Sequence, residues 1–360
     1  MDRVFNFAAG PSTMPEEALR TAAQEMLCYG SSGMSVMEMS HRSKMYSEIF
    51  DETVALTREL MHIPENYSVL WLQGGATGQF AAIPMNLLGE DGSADYIDSG
   101  NFAHIAMNEA KKYGRVRCVA SSREENYRRI PDWTQADFDP QAKYVYITTN
   151  NTIFGTRYAR LPETGNVPLV ADMSSNILSE VYDVSKFGVI YAGAQKNVAP
   201  AGVVILVVRE DLLGHELPIT PKVMSFKKMA DADSMLNTPN CFGIYVAGLT
   251  FEWLKKQGGV AAIEKVNIEK ANLLYDFLDN SKLFRGTAQE KYRSRMNVTF
   301  VTGDADKDAA FVKEATARGL VNLKGHRIVG GMRASIYNAM PVEGVKALVE
   351  FMKEFEMNNK

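Results

Sequence analysis

The chain reads as an α/β protein with a large domain built on a mostly parallel, seven-stranded sheet and a small α+β domain at its C-terminal end. From Pro15 to about Leu254, short apolar runs bounded by Gly, Asp and Asn alternate with helical patterns, the signature of α/β units. The length of 360 residues exceeds the roughly 250–300 at which single cores stop growing, so two domains are expected. The pair Gly258-Gly259 interrupts the alternation and marks the break. These observations set the boundaries at 16–257 for the large domain and 258–360 for the small one, with 1–15 as a joining segment.

Taken in order, residues 15–27 and 45–61 carry apolar residues at helical spacing. Strands are expected at 68–72, 94–97, 116–119, 144–148, 169–172, 189–192 and 203–208, each a short apolar run closed by turn-forming residues. Residues 243–256 return to the helical period. Beyond the glycine pair, 260–278 reads as a long helix, 297–301, 328–331 and 333–337 as strands, and 342–355 as the last helix.

Composition excludes several classes. Hydrophobic residues at 46% and charged residues at 23% are those of an ordinary globular protein. A net charge of −4 without a basic stripe gives no footprint for nucleic acid. No run reaches the ~18 apolar residues of a membrane span, and the N-terminus lacks an apolar signal region, so a cytoplasmic protein is expected. Cys28, Cys118 and Cys241 form no CxxC pair, the five histidines have no metal-ligand spacing, and no GxSxG elbow is present. No metal site is expected.

The residues that suit chemistry lie at the ends of strands. Lys196 follows the apolar run 189–194 and precedes another at 203–208, a place where an ammonium is costly to desolvate and a neutral amine is usable; an ordinary strand-end lysine in water is the alternative. Asp172 ends the run Leu169–Asp172, where open α/β sheets place ligands, although Ser174, Ser175 and Asn176 would also suit a helix cap. With Lys196 the carboxylate has a use: holding a proton on the ring nitrogen of a pyridine cofactor whose aldehyde the lysine captures. Gly74-Gly75-Ala76-Thr77 opens a helical pattern after a strand and suits a phosphate, or is simply a tight turn. His41-Arg42, His326-Arg327 and Arg333 offer donors for carboxylate or phosphate, against the commoner fate of arginine in a surface ion pair. In 332–336, Met332, Ala334 and Ile336 share one face and Arg333 projects from the other.

Together these segments resemble the phosphoserine aminotransferases, a branch of the class V pyridoxal-phosphate enzymes. The resemblance rests on Phe5-Asn6-Phe7-Ala8-Ala9-Gly10-Pro11, Met39-Ser40-His41-Arg42-Ser43, the Gly74-Gly75 loop, Thr148-Thr149-Asn150-Asn151-Thr152, Ala171-Asp172-Met173-Ser174-Ser175-Asn176, Tyr191-Ala192-Gly193-Ala194-Gln195-Lys196-Asn197, Asn237-Thr238-Pro239-Asn240 and Arg333-Ala334-Ser335-Ile336-Tyr337-Asn338, in that order along nearly the whole chain.

The resemblance implies an aspartate-aminotransferase-like architecture (fold type I) whose large domain binds pyridoxal 5′-phosphate. It implies reversible amino transfer between glutamate and 3-phosphohydroxypyruvate, giving phosphoserine and 2-oxoglutarate in serine biosynthesis. Some members also make phosphohydroxythreonine for pyridoxine biosynthesis. Carried over by motif, Lys196 is the Schiff-base lysine and proton shuttle, Asp172 the partner of the ring nitrogen, and Thr152 a contact near the ring. Ala76, Thr77 and Gln195 hold the cofactor phosphate. Asn237 and Thr238 reach that phosphate from a neighbouring subunit, which implies a homodimer with shared active sites. His41, Arg42, His326 and Arg327 take the distal acid group of the substrate, some from the partner, and Arg333 takes the α-carboxylate. Two positions depart from other members: Phe102 stands where tryptophan often stacks on the ring, and Thr77 where some carry arginine. Three rival readings stay open: a neutral-substrate aminotransferase, a cysteine desulfurase, or a non-catalytic pyridoxal-phosphate-binding protein.

Overall fold

The computed structural model describes residues 3–359. Its centre is a sheet of seven strands: β1 (Tyr67–Leu72), β2 (Ser93–Asp98), β3 (Arg115–Ser121), β4 (Tyr144–Thr148), β5 (Leu169–Asp172), β6 (Val189–Gly193) and β7 (Val204–Arg209). All seven expected runs are strands, with ends displaced by two residues at most. Their spatial order is β1-β7-β6-β5-β4-β2-β3, and only β7 runs against the others. The reversal has a simple cause. A parallel crossover needs a dozen or more residues, and the link from Gly193 to Val204 is shorter, so β7 returns beside β6 with Val204 opposite Gly193. The link that carries Lys196 is therefore a hairpin-like loop, closed by the amide of Ala194 donating to the carbonyl of Val203 at 3.0 Å.

Nine helices cover the described residues: α1 (Glu16–Gln24), α2 (Lys44–Met61), α3 (Gly75–Leu87), α4 (Asn101–Ala110), α5 (Phe226–Asp231), α6 (Cys241–Lys256), α7 (Gly259–Asn280), α8 (Ala305–Ala317) and α9 (Val342–Asn358). Side chains alternate across the sheet. Ile97, Val145, Ile147 and Ile190 join the cluster containing Phe50 of α2 and Phe251 of α6. Tyr96, Tyr144, Tyr146 and Tyr191 face the other way, into the cluster containing Ile83 of α3 and Met107 of α4. Those tyrosines bury their hydroxyls in pairs, Tyr96 with Tyr144 at 2.8 Å and Tyr146 with Tyr191 at 2.6 Å, so no polar atom of the four is stranded.

A separate apolar cluster gathers Leu274, Phe284, Phe300, Phe311 and Phe351 around a three-stranded antiparallel sheet of Arg285–Gly286, Asn297–Val301 and Met332–Ser335. Gly258 and Gly259 have φ of 92° and 76°, which turns the chain sharply between α6 and α7. Residues 328–331, expected as a strand, form a turn instead. The amides of Val329 and Gly330 both donate to the carbonyl of His326, and Gly330 and Gly331 take left-handed φ values that a strand does not use. Within Met332–Ser335 the alternation holds for Met332 and Ala334, both buried. Ser335 and Tyr337, on the other side, are also buried because Asn297 donates to both hydroxyls, at 3.0 and 3.1 Å.

Two features tie this C-terminal part to the rest. The segment Phe5–Asn6 pairs in parallel with Leu320–Val321, and Phe7 sits in the C-terminal cluster. The second is Lys270 on α7, which is fully buried and has no carboxylate partner among the described residues. Its Nζ lies within donating distance of the carbonyls of Ile336, Tyr337 and Met340 at 3.0, 2.7 and 3.0 Å.

Candidate active site

The C-terminal ends of the parallel strands β1, β2, β4, β5 and β6 reach one edge of the sheet, as is usual for ligand sites in open α/β folds. Gly75 to Thr77, Phe102, Thr152, Asp172, Gln195 and Lys196, at or just beyond the ends of five strands, line one cleft there, together with Phe80, Thr148, Asn150, Ser174 and Ser175. The space between these residues, partly open to solvent, is about 550 Å³.

Lys196 leans across this cleft. Its Nζ donates to Thr152 Oγ1 at 2.7 Å and lies 5.3 Å from the centre of the Phe102 ring. Burial pulls the amine down to about 8; the Asp172 carboxylate opposes that shift, and the Arg333 charge adds to it. A lysine held this way is partly neutral near physiological pH, the form that attacks an aldehyde. Its backbone is clamped from below by the segment before α1. The amide of Ser12 donates to the carbonyl of Gln195 at 3.1 Å, and the Ser12 hydroxyl donates to the carbonyl of Lys196. Gly10 passes so close that an added Cβ would lie 3.1 Å from Lys196 Cγ.

Asp172 is buried, and its Oδ1 accepts the amide of Ser174 at 2.8 Å. This closes a local turn, because no helix follows β5 to be capped. Ser174 Oγ in turn accepts the amide of Gly193, which ties the ends of β5 and β6 together.

At the other end of the cleft, α3 begins with Gly74 and Gly75 at φ 87° and 63°, conformations that glycine alone adopts readily, and its N-terminus has no side-chain cap. Free amides and the positive end of the helix thus face the cleft, a ready anion site. Gln195 reaches the same place: a Cβ on Gly193 would lie 2.8 Å from Gln195 Oε1 and 3.5 Å from the Ala76 amide nitrogen. The donor set therefore fits pyridoxal phosphate. An amine, an acid, an aromatic wall and an uncapped phosphate cradle are all present, and the Oγ1 of Thr148 and Nε of Arg333 are buried without partners.

Arg333 projects toward this assembly, one Nη donating to the carbonyl of Thr152 at 3.4 Å. His326 lies close enough that burial, then the charges of Arg333 and Arg327, lower its pKa. Neither Arg333 nor His326 lines the Lys196 cleft itself, and five further predicted residues also lie outside it within one chain. Arg42 is exposed, and His41 is half-buried with an unpartnered Nε2. Asn237 and Thr238 are exposed beside the back of the glycine loop, where Gln73 donates to the carbonyl of Thr238 at 2.8 Å, and Arg327 is exposed on its turn. Sequence reasoning missed the part played by Ser12 and Gly10, and gave Thr148 and Ser174 no task. The motif Phe5 to Pro11 was the available signal for Gly10, and Ser12 lies just beyond it.

The family model for class-V aminotransferases matches residues 4–348. The phosphoserine aminotransferases of Nitrosomonas europaea and Bacillus cereus are 53% and 52% identical to this chain, covering all of it and all of their own length. The solved phosphoserine aminotransferase of Bacillus circulans subsp. alkalophilus superimposes with a TM-score of 0.97 at 42% identity over the whole of both chains. The pyridoxal-phosphate-bound enzyme of Trichomonas vaginalis gives 0.93 at 39% identity, covering 98% of this chain and 100% of its own. A family match that runs from the Ser12 clamp through Lys196 to Arg333 includes every element of the cleft, and the chain belongs to the class-V aminotransferases.

Proposed function

We propose that the protein is a phosphoserine aminotransferase that uses pyridoxal 5′-phosphate to move an amino group between glutamate and 3-phosphohydroxypyruvate. The observation that carries this reading is the Lys196 amine, held by Thr152 Oγ1 in the cleft that also contains Asp172 and the uncapped end of α3. When bound, pyridoxal phosphate supplies an aldehyde for amines and a ring that accepts electrons.

The chain's own residues do the rest. The amides of Ala76 and Thr77, with the Gln195 side chain, bind the phosphate at the helix end. Asp172, buried at the base of the cleft, holds the proton on the pyridine nitrogen, and its bond from the Ser174 amide fixes the carboxylate in place. Phe102 forms the wall against the ring and retains an aromatic face, though without an indole donor. Lys196, with Thr152 accepting from Nζ, takes the proton from the substrate Cα and returns it on the far side of the transfer, general acid–base work that suits an amine near 8.

Arg333 has a free Nε beside the cleft, which suits the α-carboxylate shared by both amino-acid substrates. His326 and Arg327 stand beside it as ligands for the distal phosphate or γ-carboxylate. The positions of His41, Arg42, Asn237 and Thr238 outside the cleft of their own chain support a homodimer in which they serve the neighbouring site. The apolar cluster around Phe311, distinct from those on the central sheet, supports a domain division at 257/258. No helix among the described residues is long and apolar enough to cross a membrane, and a cytoplasmic enzyme of serine biosynthesis fits this reading. Amination of the related four-carbon phosphorylated keto acid of pyridoxine biosynthesis would use the same groups.

The test is a visible spectrum of the purified protein loaded with pyridoxal phosphate, followed on addition of phosphoserine and of serine, with a coupled glutamate assay. A response to phosphoserine far stronger than to serine is expected, because a cationic pocket left unpaired rejects the uncharged analogue by roughly 10⁴ or more. A colourless protein without a response would defeat the proposal.

A further inference from the structure

Next to the reaction cleft lies a second and larger one, with a cavity volume of about 920 Å³, that none of the roles above uses. It opens between the turn after β3 and the hairpin strand Arg285–Gly286. The two clefts share a wall: Asn101 adjoins Phe102, and Ile153 and Phe154 continue directly from Thr152.

The charge of the larger cleft is one-sided. Arg123, Arg128, Arg285 and His104 line it, and no Asp or Glu does. None of the three arginines makes an ion pair with a carboxylate among the described residues. Two neighbouring acids are engaged elsewhere. Glu125 accepts from Arg129 at 2.8 and 2.6 Å. Asp98 is buried and accepts from His104 Nδ1, Ser121 and Tyr127 at 3.2, 2.8 and 3.0 Å. That bond fixes the histidine tautomer, so His104 Nε2 accepts from Arg123 at 3.0 Å and orients that guanidinium. Arg128 is held from the opposite wall, its Nε donating to the carbonyl of Thr287 at 3.0 Å. Two of the three guanidiniums are thus positioned by neutral acceptors, which leaves their full charge facing the cleft.

We infer that this cleft is an anion-capture vestibule, in which small dianions such as phosphate-monoester amino and keto acids dock on Arg123, Arg128 and Arg285 before passing Phe154 and Phe102 into the reaction cleft. The inference rests on the proposed function for its substrate class. Clefts lined by one sign of charge raise the local concentration and arrival rate of opposite charges by about 10- to 1000-fold, and salt removes the effect. Phosphoserine carries a phosphate of about −1.5 to −2 charges near pH 7 on an otherwise neutral zwitterion, whereas glutamate carries one net negative charge. The vestibule therefore favours the phosphorylated substrate in arrival as well as in binding.

The experiment is stopped-flow mixing of the holoenzyme with phosphoserine or glutamate, following the visible band at about 20 mM and about 500 mM salt. For R123Q/R128Q/R285Q the second-order rate constant with phosphoserine at low salt is expected to fall about tenfold. The fall with glutamate should be about threefold, the square root of that factor for half the charge, and both differences should vanish at high salt. The single variant R285Q, on the exposed hairpin, should show the same ordering with smaller losses. Equal losses for the two substrates, or losses that persist at high salt, would mean a structural role and overturn the inference, as would unchanged rate constants. A wild-type enzyme that responds to neither substrate would defeat the functional reading and the inference together, whereas a responsive wild type with an indifferent variant defeats the inference alone.

Discussion

Replacing Lys270 by Met should change how stability depends on pH. Burial holds this amine at about 7 against an ordinary value of 10.5, so between those values the unfolded chain binds a proton that the folded chain does not. Stability contributed by Lys270 therefore rises with pH across that window, by about 1.4 kcal/mol per pH unit and about 5 kcal/mol in all. Methionine fills a similar volume but carries no proton and no donor, leaving the carbonyls of Ile336, Tyr337 and Met340 without it. Orphaned buried acceptors cost about 1–3 kcal/mol each, and near pH 7 the relief from burying a partly charged amine offsets part of this. The gap between wild type and Lys270→Met should thus be smallest near pH 7 and widen steadily as the pH rises. Urea unfolding followed by circular dichroism at pH 7, 8 and 9 measures it, since every other titrating group cancels in the difference. A gap that stays constant over that range would refute the argument.

Four other outcomes are expected. Lys196→Ala should abolish transamination and the visible band of the loaded protein; a fully active variant would end the assignment of that lysine. In the protein stripped of cofactor, the reaction of Lys196 with a small aldehyde should accelerate as the pH passes about 8, and a midpoint near 10.5 would show that burial does not perturb the amine. Arg333→Ala should raise KM for glutamate and phosphoserine alike, by roughly 10- to 100-fold for a lost charged hydrogen bond of about 1.5–3 kcal/mol, and a loss for one substrate alone would argue against a shared α-carboxylate site. Gly75→Ala places a Cβ where φ is 63° with nothing within 4 Å, so the cost is backbone strain of about 1–2 kcal/mol. It should appear as weaker pyridoxal-phosphate affinity in a titration, and unaltered affinity would separate the glycine loop from the phosphate.

The central sheet was legible because strands buried on both faces read as near-continuous apolar runs, as six of these seven do or nearly do, whereas the edge strand β3 has no buried residue and shows only the short run Val116–Val119. Lys196, Asp172 and the glycine loop were legible for a related reason: each directly follows such a run. Elements with little buried surface were not. In α8 only Phe311 and Ala315 are buried, so its apolar period is too sparse to see. Ile328 and Val329 look like strand residues yet lie exposed on a turn, because Gly330 and Gly331 decide the local backbone. Lys270 shares the buried face of α7 with Ile263 and Leu274, and only the fold shows the three carbonyls that meet it there. The roles of Gly10 and Ser12 depend on contacts with residues nearly two hundred positions away, which no local pattern encodes.

The segment Phe5–Ser12 also orders events during synthesis. It is made long before its strand partner Leu320–Val321 and before Tyr337, whose hydroxyl donates to the carbonyl of Ala9 at 2.7 Å. The sheet and the lysine loop can form well before then, but the clamp on Gln195 and Lys196 closes last. A nascent chain therefore carries an unfinished amine site until residues 320–337 are made, and the reactive lysine acquires its final setting only when these distant segments meet.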